Sequence, residues 1–212
     1  MKTIYIYVLN TLADWELGHI TAELNSKRFF KAEAQEITIK TVSYSNQPIK
    51  TMGGFAITPD CLVEEIDLNE ESVLLLPGAD TWSKPEHIHI VNVAKDLLAI
   101  GGTVAAICGA TVALGNAGLL NTYSHTSNGL EFLEMFCPIY EGQNLYIEQP
   151  SACDHNLITA SSTGVLMWTK QIIESLDVFE KESLEAWFNY FNTGNAHYFF
   201  ELMQTLPANN RD

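Results

Sequence analysis

The sequence has few basic residues and no long apolar run. Of its 212 residues, 11 are Lys or Arg and 26 are Asp or Glu, which gives a formal net charge of −15. Nucleic acid and anionic membrane surfaces would repel such a chain, so we expect neither as a partner. No apolar stretch approaches the ~18 residues of a membrane-spanning helix. Residues 1–16 also lack the long apolar region of a secretory signal.

Cysteine is scarce, and no two cysteines are close in sequence. The four are Cys61, Cys108, Cys137 and Cys153. They form no C-x-x-C motif, so we expect reduced thiols, a cytoplasmic location and no metal site built from paired cysteines. Each cysteine therefore has to be judged by its own surroundings.

The sequence does contain apolar segments typical of strands. They alternate with segments in which apolar residues recur at helical spacing. Hydrophobic residues make up 47% of the chain and charged residues 17%, as in a globular domain. We predict strands at 3–9, 36–43, 73–76, 103–107, 144–148 and 156–160, a hairpin around 49–52 and 55–58, and helices beginning near 14, 86, 109, 127, 164 and 181. Such alternation predicts a mostly parallel sheet covered by helices on both faces. Sites in these sheets lie beyond the carboxyl ends of the strands.

The segment VAAICGAT, residues 104–111, places Cys108 between a predicted strand and a predicted helix. Its neighbours Ala106, Gly109 and Ala110 are small, as a tight turn that projects one nucleophilic side chain requires. A helix N-terminus favours a thiolate, so we expect a lowered pKa for this thiol. The alternative is a buried structural cysteine, which is the commoner role of a lone thiol.

Other loops at the same predicted sheet edge offer partners for the thiol. Glu16 follows the first strand, and its carboxyl could hydrogen-bond to sulfur; the alternative is a first-turn acid that stabilises the helix dipole. The Gly78 and Gly109 amides could form an oxyanion hole, although Pro-Gly is also a common plain turn. His125, 17 residues after Cys108, could act as a base, or could be an ordinary loop histidine.

The segments LNTLADWELG, LLLPGAD, VAAICGAT, AGLLNTYSHT and NLITASSTG occur in this order. Together they resemble the ThiJ/PfpI family, within the class I glutamine amidotransferase-like superfamily, over about residues 2–180. The resemblance implies a flavodoxin-like three-layer α/β sandwich with a small hairpin excursion. It assigns residues 1–180 to this domain, leaves 181–212 as a helical extension that we expect to pack on it, and implies a homodimer.

The resemblance also implies roles for particular residues. Cys108 corresponds to the family's nucleophile, Glu16 to the glutamate that accompanies it, and His125 to a histidine that many members carry. The loop amides correspond to Gly78 and Ala79. Ala79 stands where the family's loop usually has a second glycine.

A further departure from the family pattern comes directly after the cysteine. Members of the intracellular-protease branch carry a histidine there, whereas this chain has Gly109. We therefore expect a cysteine-nucleophile enzyme acting on a small carbonyl or amide-type substrate, by a protease/amidase, glyoxalase or deglycase type of reaction. No organic cofactor or metal is required. The alternatives are a redox or stress sensor that works through oxidation of Cys108, and a chaperone-like binding module with an inert thiol.

Overall fold

The computed structural model describes residues 2–206. Its strands are β1 (Lys2–Tyr7), β2 (Ile37–Ser43), β3 (Ile49–Lys50), β4 (Ala56–Ile57), β5 (Cys61–Leu62), β6 (Val73–Leu76), β7 (Thr103–Ile107), β8 (Ser151–Asp154) and β9 (Leu157–Ala160). Its α-helices are α1 (Asp14–Ser26), α2 (Ile88–Ala99), α3 (Gly109–Asn116), α4 (Leu130–Phe136), α5 (Val165–Leu176), α6 (Lys181–Thr193) and α7 (Ala196–Thr205). Within these residues no helix combines the length and apolar character needed to cross a bilayer.

A seven-stranded sheet forms the centre of the molecule. Its strand order is β5-β2-β1-β6-β7-β9-β8, and every neighbouring pair is parallel except β8 with β9. The pair β3 and β4 forms a separate antiparallel hairpin. The α/β class, the mostly parallel sheet, the hairpin excursion and the C-terminal helices are thus confirmed.

The central strands are apolar on both faces because helices flank the sheet on both faces. All four residues of β6 are buried, as are all four of β9 and four of the five in β7. Such strands have continuous apolar runs in their sequences and not alternating patterns. This explains why TIYIYVL, VLLL and TVAAI are recognisable as central strands.

One predicted strand is wrong. Residues 144–148 fit a strand pattern, but the structure has a 3₁₀ turn at Gln143–Leu145 and then a single bridge between Tyr146 and His125. The edge of the sheet is formed instead by β8, which pairs antiparallel with β9. The sequence of β8, SACD, is short and half polar, which is possible because an edge strand has a side that faces solvent. Hydrophobic periodicity therefore does not detect this strand.

The helices after residue 180 contact the rest of the chain through a buried polar cluster. Trp187 of α6 is fully buried, and its indole N–H donates to Glu23 Oε1 of α1 at 3.0 Å. The same carboxylate accepts from both Arg28 Nε and Arg28 Nη2. A division of the chain near residue 180 remains a proposal, and residues 207–212 of the predicted extension lie outside the described part.

Replacing Glu23 by Ala should weaken this attachment. Trp187 would keep a buried N–H without its acceptor, and such a loss costs about 1–3 kcal/mol of unfolding free energy. Urea denaturation monitored by tryptophan fluorescence measures the change, and Glu70→Ala, which removes an exposed loop carboxylate, serves as the control. Equal stability of the two variants would contradict a stabilising role for the cluster.

Candidate active site

Three loops meet at the carboxyl edge of the sheet, after the adjacent strands β1, β6 and β7. The loop after β1 is joined to the loop after β6 by a hydrogen bond from the Ala13 N–H to the Gly78 carbonyl, 2.9 Å. The loop after β7 contains Cys108, whose Cβ lies close to Gly78. The meeting of these loops, expected from the strand order of a parallel sheet, brings thiol, carboxyl and backbone amides into one place.

Cys108 occupies a strained turn. Its backbone has φ 57° and ψ −125°, a region that costs a residue with a side chain about 1–3 kcal/mol. The turn is held from both sides, because its N–H donates to the Ala160 carbonyl at 2.9 Å and its own carbonyl accepts from the Thr111 hydroxyl at 2.6 Å. Helix α3 begins at the next residue. The conformation projects a half-buried thiol from the sheet edge, as the strand-to-helix turn predicted.

Glu16 lies in the first turn of α1 and has no exposed surface. Its Oε2 accepts from the Gly78 N–H at 2.5 Å. Within residues 2–206 its Oε1 has no hydrogen-bond partner, and the Cys108 thiol is the other group that interacts with this carboxyl. Burial raises the pKa of Glu16, and the Gly78 N–H and the neighbouring Cys108 thiol only partly oppose that shift. The carboxyl therefore retains a proton more readily than an ordinary glutamate.

Glycine at position 78 allows the thiol and the carboxyl to approach. A Cβ built there would lie 2.8 Å from Cys108 Cβ and 2.8 Å from Glu16 Oε1, closer than real Cβ contacts come. The Gly78 N–H, however, is already donated to Glu16. This corrects its predicted role, because an amide that holds a buried carboxyl does not simultaneously stabilise an oxyanion.

Two other backbone amides belong to the loops that carry the site. The Gly109 N–H hydrogen-bonds to Cys108 Sγ, and within the described residues the Ala79 N–H has no hydrogen-bond acceptor. The two segments are in contact, since a Cβ at Gly109 would lie 2.9 Å from the Ala79 carbonyl oxygen. A side chain after the cysteine would thus push the loop away. Ala79 has no positive φ, so this position does not need a second glycine.

Asn128 is a site residue that the sequence analysis missed. Its Nδ2 lies 3.4 Å from Cys108 Sγ, and its Oδ1 accepts from the Ser162 N–H at 2.8 Å, which fixes the amide group as a donor towards sulfur. The preceding residue, Ser127, shares a 2.7 Å hydrogen bond with Thr111 of α3. Asn-Gly at 128–129 resembles an ordinary turn, so no local pattern distinguishes this residue.

His125 is not positioned as the base that the sequence predicted for the Cys108 thiol. The side chain is fully buried, with Nδ1 2.7 Å from the Tyr123 carbonyl and Nε2 2.7 Å from the Tyr140 hydroxyl. Burial lowers the pKa of the imidazole. Because both ring nitrogens are already hydrogen-bonded, His125 has no free nitrogen to accept the Cys108 proton. Glu16 is the ionisable side chain that contacts the sulfur within residues 2–206.

The electrostatics of the thiol also differ from expectation. Burial raises the pKa of Cys108, and the charge of Glu16 adds to the increase, while hydrogen bonds from Asn128 and Gly109 oppose it. The predicted lowering by the helix N-terminus is therefore outweighed by burial beside a carboxyl group. Burial and the neighbouring carboxyl therefore both favour the thiol over the thiolate in the resting site.

Replacing Glu16 by Gln should lower the pKa of the Cys108 thiol. The variant keeps an oxygen for the Gly78 N–H but removes the negative charge that opposes ionisation of sulfur. Iodoacetamide labelling of Cys108, measured by peptide mass spectrometry across pH, should have its midpoint at lower pH than in the unsubstituted chain. Glu64→Gln, at an exposed acid, controls for net charge. An unchanged or higher midpoint would contradict the contact.

The same variant should change how stability depends on pH. The pKa of Glu16 is raised in the folded state, so the folded chain binds this proton more tightly than the unfolded chain. Its contribution is present at low pH and is lost as pH rises through the raised pKa. Glu16→Gln should therefore have the higher melting temperature at neutral pH, and the difference should shrink as pH falls through the raised pKa towards the usual glutamate value. Thermal scans from pH 4 to pH 8 measure this, and a constant difference would argue against a buried, ionisable carboxyl.

Comparison with known proteins agrees with this fold. The model of the DJ-1/PfpI family matches residues 2–175. The uncharacterized protease YoaZ of Bacillus subtilis is 41% identical over 97% of this chain and 98% of its own length. A thiJ/pfpI family protein from Bacillus anthracis is 42% identical, with 97% and 98% of the two chains covered and a TM-score of 0.94. The DJ-1 superfamily protein Atu0886 from Agrobacterium tumefaciens is 28% identical, with 92% and 99% covered and a TM-score of 0.79. The chain belongs to the DJ-1/PfpI family.

Proposed function

We propose that the chain is a cysteine-nucleophile hydrolase or lyase that acts on a small carbonyl or amide-type substrate. The observation that carries this proposal is the close approach of Cys108, held at a strained turn, and the buried Glu16 carboxyl on either side of Gly78. Two relatives from Bacillus subtilis, YoaZ and YdeA, are named uncharacterized proteases, which supports hydrolase chemistry at the level of the family. A homodimer, a cytoplasmic location and the absence of nucleic-acid and membrane partners remain parts of the proposal.

The first step is addition of sulfur to the substrate carbonyl. A bond forms from Cys108 Sγ to the carbonyl carbon as the C=O π bond opens, and the S–H proton passes to Glu16. Negative charge then develops on the former carbonyl oxygen. The Ala79 N–H, which has no acceptor within residues 2–206, is the loop amide available to donate to that oxygen, and a preorganised donor of this kind stabilises the transition state.

The second step depends on the class of substrate. With a 2-oxoaldehyde, the proton returns from Glu16 to the oxygen and gives a hemithioacetal. Its C1 hydrogen then moves to C2 as a proton, which gives a thioester of the 2-hydroxy acid, and water hydrolyses this thioester to release the acid and the thiol. With an amide, the C–N bond breaks, the proton leaves on the amine, and water hydrolyses the resulting thioester. In both courses Glu16 acts as base and then as acid, a role that a raised pKa suits because it brings the group nearer to neutral pH.

A peptidase of the Cys–His type is the less favoured form of this chemistry. Such an enzyme needs an imidazole that takes the thiol proton and holds the sulfur as a thiolate. Here His125 is bonded to Tyr123 and Tyr140, and position 109 is glycine. The geometry therefore favours reactive, small carbonyl compounds over peptide bonds.

Oxidation of Cys108 is the second candidate. The amide of Asn128 and the N–H of Gly109 point hydrogen-bond donors at sulfur, and they would also stabilise the oxygens of a sulfenic or sulfinic acid. The raised thiol pKa acts against this function, since the thiolate is the form that peroxide attacks. Enzymatic turnover is thus the better-supported proposal.

Kinetics on matched variants tests the enzyme proposal. Methylglyoxal and a small anilide represent the two substrate classes. Cys108→Ala should abolish turnover of whichever class reacts, and Glu16→Gln should lower kcat by about 10²–10⁴-fold, the usual contribution of a general acid–base. Cys153→Ala, at an exposed cysteine, should leave kcat unchanged.

Each contrary result has a distinct meaning. Undiminished turnover by Cys108→Ala would exclude sulfur as the nucleophile. If neither class is turned over while mild peroxide converts Cys108 selectively to the sulfinic acid, the sensor is supported instead. If neither reaction occurs and the chain still suppresses aggregation of an unfolded protein after Cys108→Ser, it is a binding module with an inert thiol.

A further inference from the structure

A second cavity lies outside the Cys108 site, between the start of α2 and the helices α3 and α4. Its volume is about 550 Å³. The apolar part of its wall comes mainly from Trp82, Ile88, Val91, Val112 and Phe136. Neither Cys108 nor Glu16 lines it. A cavity of this volume falls within the range of small-molecule sites, which are mostly apolar with a few placed polar groups.

The notable polar group in this wall is His87. Only 1% of its surface is exposed, yet its Nε2 has no hydrogen-bond partner within residues 2–206. Its Nδ1 is 2.7 Å from the hydroxyl of the fully buried Tyr7. The rings of Tyr7, Tyr44 and Trp82 pack around the imidazole, with centroids between 5.5 and 5.7 Å away. Buried polar atoms are almost always hydrogen-bonded, so an unpartnered one calls for an explanation, and a bound ligand would supply the missing partner.

The position of the protons is set by the Tyr7 hydrogen bond. Burial raises the pKa of Tyr7 and lowers that of His87, so both groups are neutral. If Tyr7 donates to Nδ1, the hydroxyl proton is satisfied and Nε2 carries the remaining hydrogen. The opposite arrangement would leave both the tyrosine proton and Nε2 unsatisfied. His87, which lines the cavity, therefore carries its hydrogen on Nε2, the ring nitrogen that has no partner within residues 2–206.

The charge around the cavity points to the same kind of ligand. The chain has 26 acidic and 11 basic residues, yet the cavity lining, all of it within the described part, contains Lys84 and no acid. Asn92 and Asn116 add side-chain amides. Glu86, the residue before His87, acts on its imidazole electrostatically but is not part of the lining.

We propose that this cavity binds a small, mainly apolar molecule that carries a carboxylate. The apolar part would lie among Trp82, Val91 and Phe136, and the carboxylate would accept from His87 Nε2–H close to the positive charge of Lys84. Such a ligand would satisfy the orphaned donor that the fold leaves in the wall. The site is separate from Cys108, so the proposal does not depend on the proposed enzymatic activity.

Trp82 provides a way to observe binding. Its indole N–H donates to the Pro77 carbonyl at 2.9 Å, and its Cδ1 lies 3.4 Å from the Cβ position of Gly109. The ring thus separates the cavity from the loop next to Cys108. A ligand packed against it should shift the indole N–H resonance, which Trp82→Phe identifies by its disappearance.

Titration of the ¹⁵N-labelled full chain with 2-naphthylacetate tests the proposal. We expect saturable shifts of the Trp82 indole and of the His87 imidazole nitrogen, and binding at least ~10-fold weaker for the neutral 2-(2-naphthyl)ethanol, which lacks the charge-assisted hydrogen bond. Ala113→Leu places extra volume in the cavity and should weaken binding by at least ~10-fold. Ala99→Leu, at an exposed position on α2, is the matched control.

The controls keep the result decisive. Cys108→Ser should bind the probe as the unsubstituted chain does, so failure of the enzyme proposal leaves this test intact. His87→Gln provides a second variant if Ala113→Leu does not fold, and it should also weaken binding. The proposal is overturned by unsaturable shifts, by equal affinity for acid and alcohol, or by unchanged binding in the cavity variants. It is also overturned if Ala113→Leu changes the oligomeric mass without any probe binding, because the cavity would then be an interface between copies.

Discussion

The hydrogen bond from the Gly78 N–H to the Glu16 carboxyl is the interaction on which the candidate site depends. It fixes the buried Glu16 carboxyl against Gly78, a loop residue that has no side chain. This lets the Cys108 thiol approach from the loop after β7. The parallel order of β1, β6 and β7 supplies the common edge, but it does not set the distances. The missing Cβ at position 78 sets them, because any side chain would separate sulfur from carboxyl.

This contact also decides where the proton lies. The carboxyl is buried and the thiol half-buried beside it, and burial disfavours the charged form of each, so the pKa values of Glu16 and Cys108 both rise. The strained backbone at Cys108 is held in place by the Ala160 and Thr111 hydrogen bonds. The fold thus disfavours a resting thiolate, and the thiol proton leaves sulfur only as sulfur meets an electrophile.

Much of this could be predicted from the sequence, and the exceptions have physical causes. The strands β1, β6 and β7 are continuous apolar runs, so the loops that carry Glu16, Gly78 and Cys108 could be placed at one edge. The contact made by Asn128 could not be found, because it depends on how a loop of 13 residues between Asn116 and Leu130 folds back. Periodicity carries no information about such a path.

The same limit explains the error at His125. Its place in the chain allowed a return to the thiol, but the loop turns the ring inward, where Tyr123 and Tyr140 occupy both nitrogens. The raised pKa of the thiol was missed for a related reason. A helix N-terminus can be read from the sequence, whereas the burial that outweighs it depends on tertiary packing.

The identity of residue 109 connects these observations. A histidine after the nucleophile would supply a cation and stabilise a thiolate, but its Cβ would press on the Ala79 carbonyl and displace the loop that holds Glu16. With glycine there, the loop packs tightly against α3, and the donors around sulfur are the uncharged groups of Asn128 and Gly109. Uncharged donors stabilise a growing negative charge without ionising the resting thiol. The close packing thus follows from glycine at position 109, whereas the raised pKa follows from burial and the neighbouring carboxyl, and both direct the site towards chemistry in which Glu16 carries the proton.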